Sequence, residues 1–216
     1  VIRLGINGAA GRMGRLIAAR VLSHPQLQLS AATDLPQFEG QDIGELVGLG
    51  EKGLAICPLS QNAFSDCDVV IDFSLPEGTE TLIEKLQGQA LVVGTTGLDE
   101  TGAVAIGTYA QTAPVVLAAN FSTGINVLLT LVAQAAKLLP EADLEIVEMH
   151  HSRKIDAPSG TALALAKAAC DARLLDPDEC LAYGRVGDTG PRNPEEIAIH
   201  AIRGGDIAGD HTVILA

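Results

Sequence analysis

The chain opens with a strand, a glycine loop, a helix and a second strand ending in an acid, an order that few folds accept. Residues 2–6 (IRLGI) are a short apolar run that feeds Gly8-Ala9-Ala10-Gly11-Arg12-Met13-Gly14. Residues 12–23 then place Met13, Leu16, Ile17 and Val21 on one helical face, and His24-Pro25 closes the helix. Residues 27–33 read as the second strand, with Asp34 directly after it. Glycine at 8 permits a tight turn, at 11 lets backbone amides approach a pyrophosphate, and at 14 lets helix and strand pack closely. The helix N-terminus then faces the anion. Asp34 falls 20 residues after Gly14, where a carboxylate receives the ribose hydroxyls of a dinucleotide. The loop reads GxxGxxG rather than GxGxxG, so by itself it also fits an ordinary strand-to-helix turn. Strand, glycines, helix, strand and acid in sequence point to a dinucleotide.

The alternation continues. Residues 68–74 (DVVIDFS), 90–94 and 115–119 read as strands, and 76–87 and 99–112 as helices, the first opened by Pro76. Aromatics are scarce, with no Trp, two Tyr and four Phe, so the core must be built from Val, Ile, Leu and Ala. That suits a buried parallel sheet covered by helices. Beyond residue 121 the rhythm changes. A longer helix over 124–139 stops at Pro140, a strand covers 144–151, and an Ala-rich helix covers 161–175. A polar loop at 184–194 leads to two strand-like stretches, 197–202 and 211–215. The expected architecture is α/β: a Rossmann-type domain over residues 1–121, then an α+β domain over 122–216.

Ligands of open α/β sheets bind beyond the carboxyl ends of the strands. Gly94, Thr95 and Thr96 follow one predicted strand, and Ala118, Ala119, Asn120 and Phe121 another. Both segments are candidates for lining a nicotinamide, and both also read as ordinary loops. Asp34 repels a 2′-phosphate and Leu35 after it is no cation, whereas Arg12 in the glycine loop is placed to meet one. NADH is the expected cofactor, with NADPH the alternative.

EMHHSRKIDAPSGT, residues 148–161, crowds His150, His151, Arg153 and Lys154 into a chain of net charge −13. Such a knot predicts an anionic substrate, because salt screens distant surface carboxylates over about 8–10 Å. Amides at the predicted helix start, Gly160 and Thr161, with the Thr161 hydroxyl, suit one carboxylate. Lys154 suits a second, and one histidine suits proton transfer. Adjacent residues of a straight strand face opposite ways, so at most one histidine faces the substrate there. Glu148, His150, His151 and Asp156 are conceivable metal ligands, but HExxH spacing is absent and Arg153 and Lys154 repel a cation, so no metal is expected. Ser159 lacks the GxSxG context of a hydrolase nucleophile.

The balance of 14 Lys+Arg against 27 Asp+Glu argues against nucleic acid and anionic membrane as partners. Four cysteines (Cys57, Cys67, Cys170, Cys180) form no CxxC pair, and no secretory signal or long apolar run is seen, so a reduced, cytoplasmic protein is expected.

GAAGRMG, DVVIDFSLPEG, VVGTTG, AANFSTGIN, EMHHSRKIDAPSGTAL and RGGDIAGDHTV, in that order, resemble the dihydrodipicolinate (4-hydroxy-tetrahydrodipicolinate) reductases of the diaminopimelate route to lysine. The resemblance spans essentially the whole chain. It implies reduction of a cyclic dicarboxylate by NADH or NADPH with loss of water. It implies a Rossmann domain followed by a mixed-sheet domain for substrate binding and homotetramer formation. By motif, His150 matches the proton donor and acceptor and Lys154 the second catalytic residue. His151, Gly160 and Thr161 match substrate-binding positions. Gly8, Ala9, Ala10, Gly11, Arg12, Met13, Asp34, Gly94, Thr95, Thr96, Ala118, Ala119, Asn120 and Phe121 match cofactor positions. Leu35 departs from the cation often found after the ribose acid, and Ala10 from the usual glycine loop. The start at Val1 and the strand-like end at Ala216 suggest a fragment, with the C-terminal part of the second domain expected to be missing. The competing readings are another Rossmann oxidoreductase acting on a small carboxylate and a non-catalytic NAD-binding protein. The first needs a Cys or another acid–base group at the substrate end, and Cys170 falls inside a predicted helix.

Overall fold

The first strand, β1 (Ile2–Asn7), is buried from Leu4 to Asn7 and lies inside a five-stranded sheet. After it come α1 (Arg12–Leu22), β2 (Leu27–Thr33), a 3₁₀ turn at Pro36–Phe38 and α2 (Ile43–Leu46). Then follow β3 (Val69–Asp72), α3 (Pro76–Lys85), β4 (Ala90–Val93), α4 (Glu100–Tyr109) and β5 (Val115–Leu117). The coordinates are a computed structural model that describes residues 1–216 and divides into two units, Val1–Ala119 and Asn120–Ala216.

The sheet of the first unit has the order β2-β1-β3-β4-β5, with every pairing parallel. Its strands alternate between two cores. Val69 and Ile71 pack with Leu4, Ile6, Ala18 and Val21, while Val70 packs with Leu82, Leu91, Val93 and Ile106. That period of two, with apolar residues on both faces, is what a sheet covered by helices on each side requires. The strand order reverses at β1 and β3, and a crevice opens at such a switch point. Residues 39–67, for which the sequence pattern suggested no element, hold α2. Asp42 caps it, accepting from the amides of Gly44 and Glu45.

In the second unit, Ser122 caps α5 (Thr123–Leu138). Then come β6 (Leu144–His150), α6 (Gly160–Arg173), α7 (Pro177–Cys180), β7 (Leu181–Tyr183), β8 (Ile197–Arg203) and β9 (Asp210–Leu215). The sheet order is β7-β8-β6-β9, and β6 pairs parallel with β8 and antiparallel with β9, a mixed sheet as expected. Leu144, Ile146, Ile197 and Ile199 form a core with Ala162, Leu165, Ala166 and Ala169 of α6 and with Val132 and Ala136 of α5. The alanines let α6 lie close on the sheet. The other face carries Val147 and Met149 half-buried, with Ile202 45% and Ile214 44% exposed. No helix of the chain is long and apolar enough to cross a membrane.

Candidate active site

The glycine loop is built by close contact. Gly8 adopts φ +78°, and a Cβ there would lie 2.5 Å from the Phe73 carbonyl oxygen. A Cβ on Gly14 would lie 2.1 Å from the Gly8 carbonyl oxygen. The amides of Gly8 and Ala9 donate to the Thr33 carbonyl, which ties the loop to the end of β2. Gly11 caps α1 without a side chain to serve the first-turn amides, and no acid stands in that turn. Those amides have no partner within the helix and are left for an anion.

Gly8, Ala10, Gly11 and Asp34 line one cleft of about 690 Å³ at the switch point, together with Leu35, Pro36, Phe38, Phe73 and Leu75. The Asp34 carboxylate accepts from the Ala10 amide at 2.7 Å and the Leu35 amide at 2.7 Å, so it is held beside the loop. Arg12 and Met13 are exposed at the start of α1. Ala9 is fully buried, and its side chain joins the core. Thr95 is also buried. Its hydroxyl donates to Asp72 at 2.9 Å and accepts from the Ser74 amide. Gly94 packs against the Phe73 ring, Thr96 and Ala119 are exposed, and the Ala118 amide donates to Val93.

Beneath the cleft lies a polar network that the sequence reading passed over. The fully buried Asp72 accepts from Asn7 Nδ2, Ser74 Oγ, Thr79 Oγ1 and Thr95 Oγ1, and Asn7 Oδ1 accepts from Thr33 Oγ1. It ties the ends of β1, β2 and β3 to α3 and to the segment after β4. Four donors satisfy a carboxylate that burial would otherwise destabilise.

In the second unit the histidine knot sits at the C-terminal end of β6. His150 is the last residue of the strand, and His151 follows it. His150 Nδ1 lies 2.6 Å from Glu148 Oε2. The fully buried Glu148 also takes two bonds from Arg203, at 2.7 and 2.8 Å, and one from the Ser159 amide at 2.9 Å. Burial pushes this carboxyl up, but Arg203, His150 and the Ser159 amide outweigh it and hold it at about 2. Arg203 also donates to the Asp156 carbonyl, and the Asp156 carboxylate pairs with Lys154 at 2.8 Å. Lys154, expected to stand ready for a substrate anion, is thus engaged within the protein. Its ammonium holds the Asp156 carboxyl below the usual range.

Ser159 caps α6 by accepting from the Ala162 amide, and it lies 3.0 Å from His211 Nε2. The helix begins at Gly160, one residue before the sequence expectation. Thr161 Oγ1 accepts from Asn120 Nδ2 at 3.0 Å, a bond within the second unit. His151 Nδ1 is buried without a hydrogen-bond partner. Arg203 and His211 were not picked out as functional residues, and Glu148 was weighed only as a metal ligand. The signal for Glu148 was present, because residues two apart on a strand share a face with each other.

Residues 2–121 match the family model for the N-terminus of dihydrodipicolinate reductase, and residues 124–216 match the model for its C-terminus. The chain belongs to the dihydrodipicolinate reductase family. It is 48% identical over 216 residues to the 4-hydroxy-tetrahydrodipicolinate reductase of Halorhodospira halophila, covering 98% of this chain and 81% of the relative. It is 46% identical to the reductase of that name from Alkalilimnicola ehrlichii, covering 99% of this chain and 82% of the relative. Among solved structures, a dipicolinate-bound dihydrodipicolinate reductase from Paenisporosarcina sp. TG-14 aligns with a TM-score of 0.70 at 24% identity, over 100% of this chain and 83% of that one. An aspartate semialdehyde dehydrogenase with NADP from Candida albicans aligns with a TM-score of 0.57 at 13% identity, over 100% of this chain and 71% of that one. At these identities the two likenesses speak to the fold. The glycine loop, the uncapped start of α1 and the adjoining cleft fit the nicotinamide dinucleotide that a reductase of this family uses.

Proposed function

We propose that the chain reduces 4-hydroxy-tetrahydrodipicolinate to tetrahydrodipicolinate in the diaminopimelate route to lysine, using NADH in preference to NADPH. The observation that carries the reading is the cluster at the end of β6, where a histidine, a lysine and a helix N-terminus meet. A bound reduced nicotinamide supplies a hydride. His150 supplies the balancing proton, and the hydroxyl group of the substrate leaves as water. One carboxylate of the substrate meets the amides of Gly160 and Thr161 and the Thr161 hydroxyl. The other meets Lys154, in competition with Asp156. His151, half-buried next to His150, supplies a further polar contact.

In the first unit, Gly8, Ala10, Gly11, Arg12 and Met13 surround the pyrophosphate, and Asp34 takes the ribose hydroxyls. Ala9 and Thr95 shape this site from behind, and Gly94, Thr96, Ala118 and Ala119 line the nicotinamide end. The enzyme works as a homotetramer joined through the open face of the second sheet. The cytoplasm is its place, where free thiols such as the four of this chain persist.

The assay follows NADH or NADPH oxidation with the product of dihydrodipicolinate synthase as substrate. Turnover is expected with both cofactors and is faster with NADH. His150→Gln and Lys154→Ala should each lower kcat by about 100-fold or more, with dinucleotide affinity within about twofold of the parent by direct titration. No turnover by the folded protein would refute the reading.

A further inference from the structure

We infer that Glu148, clamped by Arg203, is a positioning residue that fixes the ring and the tautomer of His150 for proton transfer. The inference rests on the reading of His150 as the proton donor. Glu148 and His150 lie two apart on β6 and share a face. The carboxylate is fully buried, and each of its oxygens has an Arg203 nitrogen within 2.8 Å. A guanidinium fork on both oxygens holds a carboxylate in plane as well as in charge. The Ser159 amide, at the mouth of α6, adds a third fixed donor. Three elements therefore set where Glu148 Oε2 lies, and that oxygen is 2.6 Å from His150 Nδ1.

An ionised carboxylate only accepts hydrogen bonds. His150 must therefore carry its proton on Nδ1. That leaves Nε2 for chemistry, as a lone pair in the neutral ring and as the donatable N–H in the cation. Nε2 looks toward Gly209, where a Cβ would come within 3.0 Å of it, so glycine leaves that nitrogen room. The charged and titratable groups around the ring are Glu148 on its own strand, Arg203 of β8 behind Glu148, His211 of β9 and Lys154 in the following loop. His211 meets the ring edge-on at a centroid distance of 5.2 Å. Burial first, and the nearby His150 second, keep His211 toward its neutral form. The Ser159 hydroxyl accepts from Ala162 and has its proton free for His211 Nε2. His211 thus borders His150 without competing for Glu148.

A purely structural pin between β6, β8 and α6 would leave tautomer and proton transfer untouched, and three measurements separate the two roles. In the full chain with 15N-labelled histidine, the neutral His150 ring should show the Nδ1–H form, and an Nε2–H form would overturn the inference. Glu148→Gln should lower kcat by about 100-fold while changing KM for the dicarboxylate by no more than about threefold. Arg203→Lys, which keeps charge but loses the fork, should cost about tenfold in kcat with KM for the dicarboxylate again little changed. Parental kcat in Glu148→Gln would overturn the inference. If His150→Gln keeps its turnover, the proton-donor reading itself falls. If His150→Gln is inactive while Glu148→Gln is unimpaired, only the positioning role falls. Should Glu148→Gln not fold, the tautomer measured in the natural chain decides alone.

Discussion

Asp34 and Leu35 stand side by side at the end of β2, a carboxylate followed by an apolar side chain that is 52% exposed. On the proposed reading, Asp34 favours a ribose with free hydroxyls and repels a 2′-phosphate. Leu35→Arg should therefore shift the kcat/KM ratio toward NADPH by about tenfold, the worth of one charge-assisted contact, as measured with both cofactors. Two other carboxylates govern the response to acid. Arg185, against partial burial and helped by His200 and Arg192, holds Glu145 at about 2, and Glu148 is held at about 2 by Arg203. Both lie below their ordinary 4.5 in the folded protein. The unfolded chain then binds more protons between these values, so their stabilisation is complete above about 4.5 and lost as pH falls toward 2. Thermal unfolding followed between pH 6 and pH 2 should show the melting temperature dropping through that window. A melting temperature flat down to about pH 3 would contradict this sign. The place of Asp34 beside the glycine loop was legible because it follows directly on the second strand of a strand-helix-strand unit. Asp72 was not, because its partners Asn7, Ser74, Thr79 and Thr95 are brought together by neighbouring strands and a helix.

Among the elements, α6 shows most directly how local chemistry and packing combine. Ser159 caps its first turn, and Ala162, Ala166 and Ala169 face the sheet. Ser159→Ala removes the cap and the contact with His211, so it should destabilise the second unit by about 1 kcal/mol or more. That corresponds to roughly 2–4 °C in melting temperature for a chain of this size, measurable by calorimetry. The long elements were readable because their apolar period persists: α1, α5, β6 and β8 lie within a residue or so of where the pattern put them. β7 was not, since three residues, Leu181–Tyr183, carry too little alternation to mark a strand. Its pairing with β8 is decided by the fold, which lays it along Ile197–Ile199. α2 escaped for the same reason, being four residues long and held by one cap.

The two units cover their sheets differently. The first has cores on both faces, while the second has its helices on one face and Val147, Met149, Ile202 and Ile214 on the other. A face of this kind suits a second copy of the chain, and the proposed homotetramer uses it. Ile202→Lys combined with Ile214→Lys should reduce the assembly to smaller species in light scattering, while the far-ultraviolet circular dichroism stays near that of the parent. A natural chain that scatters as a monomer would remove the basis for the tetramer.

The sequence by itself determined the class of fold, the order of the long strands and helices, the glycine loop with an acid after the second strand, and the family. Each is written in residues close together in the chain, where spacing alone sets the geometry. Only the tertiary structure decided which polar groups meet. Glu148 lies 55 residues from Arg203, and Ser159 lies 52 from His211. Nothing in local spacing relates such residues, because their contact depends on β8 and β9 flanking β6 on opposite sides. The histidine motif was therefore visible in the sequence, while the carboxylate and arginine that hold it became visible only once the sheet was assembled.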